Sequence, residues 1–210
     1  MSLVGFFAPR NTMPPLTTSE LRLVETVEAV LMGTPADRRR VGITTLNKAL
    51  FYADLVALRD LGRTLTGARY HALQFGPVVE DYPTKLIDVV ERAGVARQAE
   101  GDDGLEKPVV LVETPPFSIL DEDEVQIARN IGSKTAQMTA TKLVRMSHEN
   151  LGWKLAWDAG RGQGKPAVQI NMLIALQQLA DDDPWLTAPV DDDLRAAFDR
   201  ATPDSGSIWE

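Results

Sequence analysis

Few side chains in this 210-residue chain have types and spacings suited to covalent chemistry. There is no cysteine, which removes disulfides, thiolate metal sites and thiol nucleophiles together. The two histidines, His71 and His148, stand far apart, so most pairings of a nucleophile with a base are missing. Neither a zinc-protease H-E-x-x-H, a Walker A loop nor a G-x-S-x-G elbow occurs. Gly160 to Lys165 is glycine-rich and ends on a lysine, but no strand precedes it and no Ser/Thr follows, so it reads as a plain loop. Four consecutive acids, Asp121 to Glu124, invite a metal reading. Their place before Val125, Ala128 and Ile131 favours a helix start, where carboxylates meet the positive end of the dipole and Asp121 with Glu124 has capping-box spacing. Arg38-Arg39-Arg40 reads as a solvated loop rather than a phosphate grip. The expectation is a protein without catalytic residues, bound metal or cofactor.

Asp54 is the exception that needs an explanation. It lies in an otherwise apolar helix of about 43 to 61, carrying Leu46, Ala49, Leu50, Phe51, Tyr52, Ala53, Leu55, Val56, Ala57, Leu58 and Leu61. A helix apolar all round belongs inside a domain, and this one is expected to be the central element of the core. A buried acid needs a partner; Arg59, Arg63 and Arg69 are the nearest candidates for an ion pair or a hydrogen-bond network.

The surrounding elements follow from local signals. Thr17-Thr18-Ser19-Glu20 followed by Leu21, Val24, Val27, Val30 and Leu31 predicts a first helix of about 19 to 32, ended by Gly33. Residues 67 to 75 alternate as a half-buried strand, which Pro77 ends. A helix with Pro83 near its start and Gly94 at its close comes next. Residues 95 to 99 and 109 to 113, around Gly101-Asp102-Asp103-Gly104, read as a hairpin that joins 67 to 75 in one antiparallel three-stranded sheet. Further helices are expected at 121 to 131, ended by Gly132, at 139 to 150, at 151 to 157 with Trp153 and Trp157, and at 170 to 180 as a last core helix. The fold class is therefore α+β, mainly helical, with six or seven helices and a small sheet in a single domain. Residues 1 to 18 form an N-terminal extension, 19 to 180 the domain, and 181 to 210 an acidic C-terminal segment.

Apolar content is 44% and charged content 25%, as in soluble globular proteins, and no apolar run is long enough to span a membrane. The lack of cysteine suits a cytoplasmic location. Of the net charge of −8, most belongs to residues 181 to 210, which hold nine acids and two arginines. That segment reads as a solubilising appendage, or else as an electrostatic guide for a basic partner.

Four pieces carry a family resemblance: Phe51-Tyr52-Ala53-Asp54; Gly62-Arg63; Thr66-Gly67-Ala68-Arg69-Tyr70-His71-Ala72; and Phe75-Gly76-Pro77-Val78. Ser147-His148 followed by Trp153 is a further point of likeness. In order and spacing the chain resembles the Panacea domain of SocA-like antitoxins from bacterial and phage toxin-antitoxin systems, most strongly over 44 to 157. The resemblance implies a non-enzymatic protein that neutralises a cognate protein toxin by direct binding. An adaptor that delivers a client to an ATP-dependent protease or chaperone is the alternative, and a hydrolase-like enzyme the third. Neither a membrane nor nucleic acid is expected as partner. The motif positions Tyr52, Asp54, Gly67, Tyr70, Phe75, Gly76, Pro77, His148 and Trp153 are candidates for partner contact or structure. Tyr70 and Phe75 are expected as core aromatics, and His148 as a brace between two helices.

Overall fold

The computed structural model describes residues 14–35, 40–101, 107–162 and 167–179. Most of the N-terminal extension, Arg38 and Arg39, the Asp102-Asp103-Gly104 turn, part of the glycine-rich loop and the acidic C-terminal segment lie outside the described residues.

Helix α1 (Thr18–Gly33) opens with a full capping box: the Thr17 hydroxyl accepts the Glu20 N–H, and the Glu20 carboxylate accepts the Thr17 N–H at 2.7 Å. Strand β1 (Arg40–Gly42) follows, so Arg40 begins a strand instead of completing a loop. Helix α2 (Ile43–Leu61) is the buried element its composition demands, with Leu46, Ala49, Leu50, Phe51, Ala53, Leu55 and Ala57 fully enclosed. Gly62 ends it in the left-handed conformation at φ 71°.

Strand β2 (Tyr70–Leu73) pairs antiparallel with β3 (Gly76–Val79), with Leu73 opposite Gly76 and Gln74-Phe75 as the turn. The chain therefore continues as a strand through Pro77, against expectation. Strand β3 lies at the edge of its sheet, where a residue without an N–H is tolerated. The expected helix near Pro83 is a π-helical turn, Pro83–Ile87, running into the short α3 (Asp88–Arg92).

Strands β4 (Ala96–Gln98) and β5 (Pro108–Leu111) form the anticipated hairpin. Their third strand is β1, in the order β1-β5-β4, and not the segment 67 to 75. That segment belongs to a second sheet, β3-β2-β6, whose last member β6 (Val168–Gln169) had no strand signal. The fold is mainly helical α+β, as expected, but with two small antiparallel sheets in place of one.

Helix α4 (Glu122–Ala136) starts from the Asp121/Glu124 capping box and runs past Gly132. That glycine marks a helix crossing, not a helix end. A Cβ on Gly132 would lie 2.0 Å from the Val30 carbonyl oxygen, and one on Gly33 would lie 2.0 Å from that of Arg129. Helices α5 (Ala140–Glu149) and α6 (Leu151–Ala159) share Asn150, which closes the first and whose side chain caps the second by accepting the Trp153 N–H. The expected core helix of 170 to 180 shrinks to α7 (Met172–Leu176), capped by Asn171. Leu173 there is 64% exposed, while Ile170 and Ala175 are buried. None of the described helices is long and apolar enough to cross a membrane.

A carboxyl group is buried beside the α1–α4 crossing. Glu28 is 1% exposed, and neither of its oxygens has a hydrogen-bond partner among the described residues. Burial and the neighbouring Glu25 push its pKa up from 4.5 to about 7, against the pull of Arg129. Because the folded state holds this proton more tightly, the group's contribution to stability is complete below pH 4.5 and is lost as pH rises through 7. Glu28→Gln is therefore expected to gain about 2 kcal/mol on the wild type between pH 5 and pH 8 in urea unfolding. Parallel pH profiles for the two proteins would refute this.

Candidate functional site: a braced hairpin tip

Asp54, fully buried on α2, organises the entry to β2. Its Oδ1 accepts the N–H groups of Leu65 and Thr66 at 2.7 and 2.9 Å. Its Oδ2 accepts the hydroxyls of Thr66 and Tyr70, the latter at 2.7 Å. The network expected for this acid is present, but no arginine takes part. Burial pushes the Asp54 pKa above its ordinary value, against the opposing hydrogen bonds from Thr66, Tyr70 and Leu65.

Arg63 instead reaches across to α4, binding Glu124 at 2.9 Å and Asp121 at 2.8 Å, while Arg59 pairs with Asp60. Glu124 also receives Arg22 at 2.6 Å. Burial opposes its ionisation, but the bonds from Arg22 and Arg63 prevail and hold its carboxyl below the usual value. Arg22 donates to the carbonyls of Leu65 and Thr64 as well. The loop from Gly62 to Ala68 is thus fixed from both sides.

Tyr70 is wholly enclosed, as expected, and meets Phe51 edge to face at 5.3 Å; Phe51 meets Tyr52 in the same way at 5.4 Å. Three motif aromatics thus form one packed row inside the core. Gly67, at φ 66°, lies on the rim of a cleft of about 440 Å³ between α1, α3 and this loop. Of the rim cations, Arg92 is bound to Glu20, and Lys85 to Glu80 and Asp81.

Phe75 departs from expectation. It sits in the β2–β3 turn and is 59% exposed, so it is no core aromatic. A turn places both flanking strands behind it and leaves more than half of the residue open among the described residues. Beneath it the backbone is held closely. The Nζ of Lys48, on α2, donates to the Phe75 carbonyl and, at 3.3 Å, to that of Thr44. His148, on α5, hydrogen-bonds to the Gln74 backbone. Gly76 adopts φ 113°, and a Cβ there would lie 2.6 Å from Ser147 Oγ and 2.9 Å from Lys48 Cε. Asn47 Oδ1 accepts the Val79 N–H at 2.8 Å, fixing the far end of the hairpin.

His148 touches both the hairpin and the α5–α6 corner. Its ring stacks on Trp153 at 4.0 Å, and Trp153 stacks on Trp157 at 5.3 Å. Burial and the Lys48 charge lower its pKa, while the bond to Gln74 works the other way. The motif positions Phe75, Gly76, Pro77, His148 and Trp153 are therefore brought together around the β2–β3 turn. Asp54 and Tyr70 form a separate network that positions the start of β2, Tyr52 packs on Phe51 beside it, and Gly67 lies apart at the cleft.

Lys48, Gln74 and Asn47 do not belong to the motif positions, whereas Ser147 belongs to the Ser147-His148 pair. Lys48 had a signal comparable to that of Asp54, a charge within the all-round apolar run of α2. For Gln74 and Asn47 no local signal existed, because their roles depend on contacts between segments distant in sequence.

A family model described as "Antitoxin SocA-like, Panacea domain" matches residues 46–154. No curated protein matches the chain, and neither does any solved structure.

Proposed function

The chain belongs to the SocA-like antitoxin family, of which residues 46–154 carry the Panacea domain, and from that premise we propose that it neutralises a cognate protein toxin by direct binding, without catalysis, in the cytoplasm. The observation that carries the contact assignment is Phe75. It is a large aromatic side chain, 59% exposed, on a turn whose backbone is anchored residue by residue, inside the matched region. Binding energy at protein interfaces concentrates in a few such anchors, with aromatics over-represented. A rigid anchor also loses little conformational freedom on binding. Tyr52, Asp54, Gly67, Tyr70, Gly76, Pro77, His148 and Trp153 act in this reading as the framework that presents it. A standard interface of about 1,600 Å² around this tip would occlude a toxin surface.

The test begins with the product of the reading frame adjacent to this one, expressed from an inducible promoter. It is expected to stop growth, and co-expression of the chain to restore it. Phe75→Ala should keep the wild-type melting temperature, since an exposed ring contributes little to folding. It should weaken binding to that product by about 2 kcal/mol or more, a loss of roughly 30-fold, and should fail to restore growth. Full rescue and unchanged affinity with Phe75→Ala would remove Phe75 from the interface.

A further inference from the structure

We propose that Lys48 is a positioning residue, whose buried ammonium group, set against the Phe75 carbonyl, holds the β2–β3 turn in the conformation that presents the Phe75 ring to a protein partner. The inference rests on the assignment of Phe75 as a toxin contact.

Lys48 is 1% exposed. Among the described residues no carboxylate reaches it; its acceptors are the carbonyls of Thr44 and Phe75. A buried ammonium group without a counter-ion is costly, and an apolar side chain of similar length would serve packing better. The Thr44 carbonyl lies one turn back on the same helix and ties Lys48 to nothing else. The Phe75 carbonyl is the acceptor that links α2 to another element. What this lysine adds to the fold is therefore a fixed position for one exposed residue.

Its neighbours act on the same three residues. His148 holds Gln74, Lys48 holds Phe75, and Gly76 lies so close to Lys48 and Ser147 that a Cβ there would have to displace both side chains. Side chains from two helices, α2 and α5, thus fix a two-residue turn and the glycine after it. Among the described residues, Phe75 itself stays 59% exposed. Such an arrangement raises the population of the binding-ready conformer before the partner arrives, and apparent affinity scales with that population.

A purely structural lysine and a positioning lysine differ in what their removal does. Lys48→Met deletes the charge and keeps most of the volume. A positioning role predicts a melting temperature equal to or above the wild type, together with a loosened tip. The wild type supplies a second readout. Burial lowers the Lys48 pKa to about 8, so the ammonium group is lost within an accessible pH range. The groups facing it are Thr44 on its own helix, Phe75 and Gly76 of the turn, and Ser147 and His148 of α5. Of these only His148 titrates, and its pKa is lowered from the ordinary 6.5, well away from this step.

The experiment is ¹⁵N NMR on the full chain from pH 5 to pH 10. In the wild type the amide signals of Phe75 and Gly76 should move with a midpoint near pH 8 and, above it, show increased fast motion. In Lys48→Met, or Lys48→Gln should the first variant fold poorly, that step should vanish and the tip should be mobile throughout. Both variants should bind the growth-arresting product about tenfold more weakly, chiefly through slower association. Tip amides that neither titrate in the wild type nor change in the variants would overturn the clamp, while the Phe75 contact would stand on the Phe75→Ala result. A loosened tip in the variants with unchanged binding would overturn the presenting role.

Discussion

Asp54→Ala is expected to lower the unfolding free energy by about 4 kcal/mol or more, a large part of what a domain of this size possesses. The substitution leaves the buried N–H groups of Leu65 and Thr66 and the Tyr70 hydroxyl without their acceptor. Each such group costs about 1 to 3 kcal/mol when water cannot replace the lost partner, and the Asp54 and Tyr70 side chains are fully enclosed. Asp54→Asn should be milder. Its carbonyl oxygen still accepts both N–H groups, and its amide can donate to the two hydroxyls. The consequence extends to the candidate site, because the Leu65-Thr66 backbone and Tyr70 set where β2 begins, and β2 carries the chain to the Phe75 turn. Urea unfolding of the three proteins checks this order. An Asp54→Ala midpoint within about 1 kcal/mol of the wild type would show that the network is dispensable.

Gly132→Ala is expected to cost about 3 kcal/mol or more, at the upper end of overpacking effects, because the overlap is with backbone. A Cβ at 2.0 Å from the Val30 carbonyl oxygen cannot be relieved by a rotamer change; α1 and α4 must move apart. Their shared face includes Val24, Val27 and Val30 on one side and Val125, Ala128 and Ile131 on the other, all buried. Gly33→Ala should act similarly, through the Arg129 carbonyl. The double variant should cost clearly less than the sum of the two, since one separation of the helices relieves both clashes. Strict additivity in thermal or urea unfolding would mean that the two glycines are accommodated independently.

The glycines illustrate where sequence information stops. A glycine at the end of an apolar pattern reads as a stop signal, and Gly62 is one, at φ 71°. Gly132 has the same neighbours in character, yet it lies inside a continuous helix because another helix passes over it. Proline shows the same division. Pro77 is barred from a central strand, but only the sheet order reveals that β3 is an edge.

What the sequence by itself determined is the part governed by neighbours three or four residues apart. Both capping boxes, Thr17 with Glu20 and Asp121 with Glu124, are such contacts, and both helix starts were legible. So were the enclosure of α2, from apolar residues on every face, and the β4–β5 hairpin, from a turn between two strand patterns. The motif spacing placed the chain in its family. Only the tertiary structure decided which strands share a sheet, that Phe75 is exposed, and which groups satisfy Asp54 and Lys48. Alternation tells a strand which face to bury but not which edge to join, since the backbone groups that pair are the same in every residue. Asp54 meets Tyr70 sixteen positions on, and Lys48 meets Phe75 twenty-seven positions on. Such pairs form because packing brings α2 against the hairpin, and no local propensity records that distance.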